Sequence, residues 1–504
     1  MVHYLKFTKT ILNVLLLCPV IMLAQWTQLG NDIDGEAIND QSGYAVSLSA
    51  DGAIVAIGSP FNDEAGSNSG QVRVFQNQSG NWAQIGDNIN GDTSISISGF
   101  SVSLNADGTI VAIGAPDYTE SGLFEIGQVR VFQNQSGNWV QIGNPIIGEA
   151  LSDHSGYSVS LSNDGNRLAI GAPDNGLIEG EGSNFGHVRV YENQSDNWVQ
   201  IGSDIDGEAP EDNSGFSVSL NQDGSIVAIG APNNNDSVMG AGHVRIYRNE
   251  ANTWTQIGND IDGEALNDKF GSAVSLNNQG TIIAIGAVDH NGIGHVKVYE
   301  NQSDTWVQIG SNINGEAIGN KFGISVSLNA VGDVVAAGAH LNDDFILEAG
   351  HVRVYKNEAG NWQQIDDDID GEALQDRSGR SVSLSADGSI VAIGAYLNDG
   401  NNGTNSGHVR VFYNATILNI ENTNSKNKII LYPNPTTTQI HIDLESTVNH
   451  SKIQLYTIEG KLLFTQDYNN TNHIIINMTS FSKGIYVLKV QLDETKKIVK
   501  VIKQ

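Results

Sequence analysis

Short apolar runs alternate with turn residues along most of this chain, and the alternation recurs seven times. In the copy from 378 to 395, Val382 and Leu384 alternate with polar neighbours, Asp387-Gly388 follows, and Ile390, Val391 and Ile393 lead to Gly394. Apolar alternation on both sides of Asp-Gly predicts a hairpin with a type I′ turn. A third run (His408 to Tyr413 in this copy) and a fourth (Trp362 to Ile365 in the copy before) give each repeat four short strands.

The spacing fixes the architecture. Tryptophans at 26, 82, 139, 198, 254, 306 and 362 recur every 52 to 59 residues. From each Trp to the valine of the next inner strand is 20 residues, and from that valine to the glycine closing the second strand is 12. All length variation falls between the second and third strands. Four-stranded repeats of this length predict a β-propeller. The series opens with a lone fourth strand at Trp26 and closes with a lone third strand at His408, so pairing the two completes a seventh blade and leaves no open edge. The predicted fold is all-β: a seven-bladed propeller over 25–414, a linker at 415–428 and a small β-sandwich at 429–504. Residues 1–24, with Lys6 and Lys9 before an apolar run, read as a signal peptide. Cys18 lies inside that run, so the mature chain would have no thiol and no transmembrane segment.

At Phe270-Gly271, Phe322-Gly323, Gly114-Ala115-Pro116, Gly171-Ala172-Pro173 and Gly230-Ala231-Pro232 the chain resembles the FG-GAP repeats of integrin α subunits. The resemblance implies an extracellular binding protein. The family often holds calcium in the turn between the first two strands. Here Gly is kept in every copy of that turn while Asp gives way to Gln279 and Val331, which suits a turn needing φ > 0 better than a carboxylate cage.

A second acidic pattern lies in the links between blades. Asp32, Asp34, Glu36 and Asp40; Asp204, Asp206, Glu208 and Asp212; Asp260, Asp262, Glu264 and Asp268; and Asp368, Asp370, Glu372 and Asp376 each place four carboxylates within nine residues. Such groups could hold calcium. The favoured reading is that they are solvated or pair with the basic residue of strand three (Arg73, Arg130, Arg189, Arg245, Lys297, Arg353, Arg410), which recurs in step with an acid after the link glycine in all seven blades. Strand three opens with His187, His243, His295, His351 and His408, but with Gln71 and Gln128 in two copies, a pattern that speaks for hydrogen bonding rather than metal binding.

Residues that break the repeat are the best candidates for function. In the variable loops these are Leu123, Phe124 and Ile126; Leu177 and Ile178; and Phe345, Ile346 and Leu347. Between the leader and the tail the charge is 14 Lys+Arg against 51 Asp+Glu (26 − 2 − 10 and 57 − 6), a field that repels nucleic acid and anionic lipid.

The tail holds Tyr432-Pro433-Asn434-Pro435, Gly460-Lys461, Gly484-Ile485-Tyr486 and the basic run containing Lys497 and Lys500. In that order, at the chain end, they resemble the C-terminal sorting domain of Bacteroidetes type IX secretion cargo. The resemblance implies export to the outer surface or beyond and contact with the secretion machinery. The expected function is binding of an extracellular protein or glycan through the variable-loop face. The alternatives are a polysaccharide-active hydrolase or lyase on the same scaffold, or a structural surface-layer component.

Overall fold

Every inner strand ends on Val-Ser-Leu because its side chains alternate between the two neighbouring blades, Val46 and Leu48 packing on the preceding one and Ser47 meeting the next. The first blade comprises Ala45–Leu48, Ile54–Ser59, Gln71–Gln78 and Asn81–Gln84, extended by Ile89–Asn90, which pairs with the start of the third strand. Five further blades repeat this antiparallel sheet, and the seventh is built from both chain ends: Thr27–Gln28 pairs with His408–Tyr413 beside Ser378–Leu384 and Ile390–Ala395. The computed structural model describes residues 26–504 apart from 121, 177–183, 345, 415–416, 418–428, 433–435, 458–461, 493–494 and 504.

Three cycles of hydrogen bonds close the ring. At the turn joining the first two strands, Ala50 N–H donates to Ala106 O, and the pattern passes through Asn163, Gln222, Asn278, Ala330 and Ala386 back to Ala50, at 2.7–3.1 Å. Within the inner strands, the Ser47 hydroxyl accepts from Leu104 N–H, Ser103 from Leu161, Ser160 from Leu220, Ser219 from Leu276, Ser275 from Leu328, Ser327 from Leu384 and Ser383 from Leu48. Farther out, each indole N–H donates to the preceding blade, from Trp82 to Leu29 O at 2.7 Å round to Trp26 and Ile365 O at 3.2 Å. The tryptophans therefore fasten blade to blade, and Val55, Ile57, Val72 and Val74 with their counterparts fill the spaces between.

The predicted type I′ turn does not form. Ser49 pairs with Ile54 across a longer turn in which Gly52 has φ +69 while Asp51 stays outside the left-handed region. Asp51 Oδ1 accepts from Ser49 Oγ and Ala53 N–H, an Asx-type turn rather than a two-residue hairpin. The invariant glycine of the second strand has a different cause. A Cβ on Gly114 would stand 2.0 Å from Gly156 O of the next blade.

The C-terminal residues form one hydrogen-bonded sheet containing Ile429–Tyr432, Gln439–Thr457, Leu462–Asn477, Gly484–Leu492 and Thr495–Lys503. The long second strand breaks register between Asp443 and Val448, and both its halves feed one core through Ile440, Ile442, Ile453 and Leu455. The expected sandwich is thus a single continuous network bent around one core.

Gly114→Ala should destabilise the chain by about 2 kcal/mol or more, because it forces two blades apart. Urea unfolding followed by tryptophan fluorescence checks this; a midpoint equal to the wild type would show that the close approach is not needed.

Candidate functional site

The four acids of each link do not converge on one point. The last one caps the link: Asp376 is buried and accepts from Glu372 and Ala373 N–H at 3.1 and 2.8 Å, as Asp40, Asp212 and Asp268 do at Ala37, Ala209 and Ala265. The acid after the link glycine, glutamate in six copies and Asp92 in one, meets the buried basic residue of strand three in every blade. Arg73–Glu36 is 3.7 Å, Arg189–Glu149 3.1 Å, Arg245–Glu208 3.4 Å, Lys297–Glu264 2.5 Å and Arg410–Glu372 3.3 Å, and Arg130–Asp92 and Arg353–Glu316 pair likewise. The second acid lies opposite the strand-three histidine in the sheet, Asp34 with His408, Asp206 with His187, Asp262 with His243 and Asp370 with His351. The first, at Asp32, Asp204, Asp260 or Asp368, accepts from a fourth-strand glutamine and faces the same histidine. The turn where the FG-GAP family places calcium offers at most one carboxylate at its Asp-Gly position, already engaged by hydroxyl and amide donors at Asp51 and Asp387, so its residues do not fit a calcium cage.

The variable-loop face is apolar. Eleven of the fourteen large hydrophobic side chains exposed on the propeller, among the described residues, lie there. Leu123, Phe124 and Leu347 are exposed as expected. Ile126 is buried under the link at Gly148 and belongs to the core, a correction to its place among the loop tips. Ile346 is half-buried, and Leu177, Ile178 and Phe345 lie outside the described residues. The larger contribution comes from residues that sequence reasoning passed over. The position after the link's Glu-Ala is Ile38, Leu151, Leu266, Ile318 and Leu374 in five blades, all exposed, Ile318 at 84%. Each link donates a hydrogen bond to the variable loop beside it, as Asn267 N–H does to Met239 O, Ser152 to Phe124 O and Gln375 to Leu347 O, so the link and loop residues form one aliphatic rim.

Inside the rim, the residues just before the inner strands line the mouth of the channel. Tyr44, Phe100, Tyr157 and Phe216 form a continuous belt with ring centroids 4.9–5.0 Å apart. At one end Arg380 lies 4.5 Å over the Tyr44 ring and donates to its hydroxyl at 3.1 Å. Among the described residues no carboxylate lies within ion-pair distance of Arg380. Around it are Arg377, bound to Glu348 and Tyr396; Lys321, paired with Asp289; and Lys269, donating to Asn233. Besides the basic residue that recurs in strand three the propeller has seven cations, and four of them are gathered at this mouth in a domain that is otherwise strongly acidic. Burial pushes the Tyr157 hydroxyl up to about 12 despite Arg380. Burial, helped by Arg380, Arg377 and Lys321, drives His340 down to about 3. His154 is opposite. Burial opposes its charge, yet Asp174 at 2.9 Å, with Asp117 and Glu125, raises its pKa above the ordinary value.

Residues 430–504 match the secretion system C-terminal sorting domain, and residues 369–412 match the FG-GAP repeat. The chain thus carries an FG-GAP repeat within its seven like sheets and a C-terminal type IX sorting domain, and the sorting domain directs export to the cell surface or the extracellular space. Of the sorting motif, Tyr432 donates to Asp443 at 2.8 Å, Gly484 opens a strand, and Lys497 and Lys500 stand opposite Val490 and Val487. Pro433, Asn434, Pro435, Gly460 and Lys461 lie outside the described residues. No helix among the described residues is long and apolar enough to cross a membrane. The chain is 32% identical over 66 residues to ulvan lyase NLR42 of Nonlabens ulvanivorans, a match covering 13% of this chain and 12% of the lyase. Similar solved structures include the RRP9 WD40 repeats (13% identity, 77% of this chain and 100% of that one, TM-score 0.48). The Pseudomonas aeruginosa periplasmic gluconolactonase PpgL is 12% identical over 68% and 99%, TM-score 0.44, and a fungal alcohol oxidase of the AA5 family 13% over 95% and 100%, TM-score 0.47. At these levels nothing about this chain follows from them.

The two histidines at the mouth should shift stability in opposite directions with pH. His154, raised when folded, stabilises fully below the unfolded value of 6.5 and loses that contribution as pH rises through its folded value. His340, depressed when folded, contributes above 6.5, and the contribution fades as pH falls toward about 3. Urea midpoints at pH 5 and pH 8 should therefore show His154→Gln relatively worse at pH 5 and His340→Gln relatively better. Equal effects of both variants at the two pH values would contradict this electrostatic account.

Proposed function

We propose that this protein is an exported binding protein that docks a protein partner on the aliphatic rim and seats an acidic group of that partner at Arg380. The observation that carries this reading is the rim itself. Apolar side chains recur at one link position in five blades, exposed, on the face that carries all the loop variation. Exposed apolar surface of this extent on an otherwise polar protein marks an interaction site. Arg380 adds selectivity, because a half-buried guanidinium without a carboxylate partner is set to take one in a charge-assisted pair.

A second reading, a polysaccharide-active enzyme, is favoured by His154. It lies off the repeat and among three carboxylates, as an acid–base group would. Probing the full exported chain against arrays of surface proteins and acidic glycans separates the two. Binding of a protein that weakens about tenfold or more in Ile318→Asp with Leu266→Asp, and again in Arg380→Gln, supports the first reading. Cleavage of an arrayed glycan, abolished in His154→Gln, would replace it with the second.

A further inference from the structure

Comparing the blades with one another reveals a pairing that no single blade shows. Where strand three opens with His, the following fourth strand carries Asp four residues after its glutamine in four cases: His187 with Asp204, His243 with Asp260, His351 with Asp368, and His408 with Asp32 across the ring closure. Where strand three opens with Gln71 or Gln128, the same fourth-strand position is Asn88 or Pro145. For the fifth His, His295, the equivalent fourth-strand position is Asn312, and its ring lies against that of His290 with centroids 4.0 Å apart. A glutamine at this position therefore comes with loss of its acidic partner, and substitution by Gln no longer argues against a metal ligand.

In each of the four His–Asp blades, the link leading in adds a glutamate, so His, Asp and Glu converge: Asp32, Glu372 and His408; Glu149, His187 and Asp204; Glu316, His351 and Asp368; and, in the fourth blade, Glu208, His243 and Asp260. Among the described residues, only there does the variable loop complete the set with a further acid whose ligand atom joins the others, Asp236, all four atoms lying within 4.8 Å of one another. His243 is fully buried, and both its ring nitrogens lack a hydrogen-bond partner. Its Nδ1 points into the acids, 3.7 Å from Asp260 and 4.0 Å from Glu208. A buried imidazole with no partner is costly to keep unless something else satisfies it.

We propose that Glu208, Asp236, His243 and Asp260 form a site for one divalent transition cation such as zinc or manganese. Ligands held at ~2.1 Å around a tetrahedral ion stand about 3.4 Å apart, so the observed spacing needs only a small contraction. Three carboxylates with Arg245 paired to Glu208 leave two negative charges, which a divalent ion neutralises. Imidazole with carboxylates selects zinc or manganese over calcium, which takes six to eight oxygens. The sixth blade lacks this freedom, since Arg353 already clamps Asp368 through two hydrogen bonds of 2.9 Å. Binding in the fourth blade would tie the variable loop holding Asp236 to the link and to the outer edge of the blade.

Chelator-stripped full chain, titrated with cobalt(II), tests the site. One equivalent should give a visible ligand-field band that zinc displaces and millimolar calcium does not. His243→Gln and Asp260→Asn use residues the sibling blades carry at these positions, so they should fold, and each should weaken the first equivalent by about tenfold or more. His187→Gln should leave that equivalent intact. Absence of the band, an unchanged first equivalent in His243→Gln, or its loss in His187→Gln would overturn the assignment.

Discussion

A propeller stands or falls on closure, and here closure rests on a cycle of seven backbone hydrogen bonds in which each blade donates to the next. No sheet edge is left unpaired at the junction because Thr27–Gln28 supplies the outer strand that the last blade lacks. The serine and indole cycles repeat the same logic at larger radii. The fixed spacings follow from this. A residue added between Trp82 and Val102, or between Val102 and Gly114, would put the donors of that blade out of phase with their acceptors in its neighbours, whereas the loop between the second and third strands lies outside all three cycles and is free to vary.

That separation explains how the acidic links work. Their charge suggests solvation or ion capture, but most of it is spent internally. The glutamate neutralises a cation buried in strand three, and the final aspartate caps the turn that carries the link inward. Desolvating an arginine such as Arg245 is tolerable only with its carboxylate and the Asp206 carbonyl, at 2.7 Å, in place. With the acids so occupied, the aliphatic side chains reach solvent among carboxylates that already have partners.

The seven blades, their closure and the tryptophan contacts were legible in the residue pattern, because a period kept over seven copies admits few topologies. The basic–acidic pairs were also foreseeable, Arg73 and Glu36 recurring in step. The turn type was not, since Asp-Gly serves a two-residue turn and the longer Asx turn at Asp51 equally well. The mouth was hidden because its parts are distant in sequence: Arg380 and Tyr44 are 336 residues apart and meet only through closure. Ile38 and its counterparts stood in plain view inside a motif noticed for its acids. Only the register of link against loop, Asn267 beside Met239, turns them to solvent.

Closure also sets an order of events for an exported chain. The strand that completes the ring, Thr27–Gln28, lies at the start of the described chain, and its partner ends at Tyr413, just before the sorting domain. A nascent chain missing even the last blade would therefore be an open arc, with the donor of one terminal turn and the acceptor of the other unsatisfied. Such an arc exposes two sheet faces that no internal rearrangement can cover. The ring thus acts as a check on completeness: the fold becomes a closed object only once everything up to the sorting signal has been made.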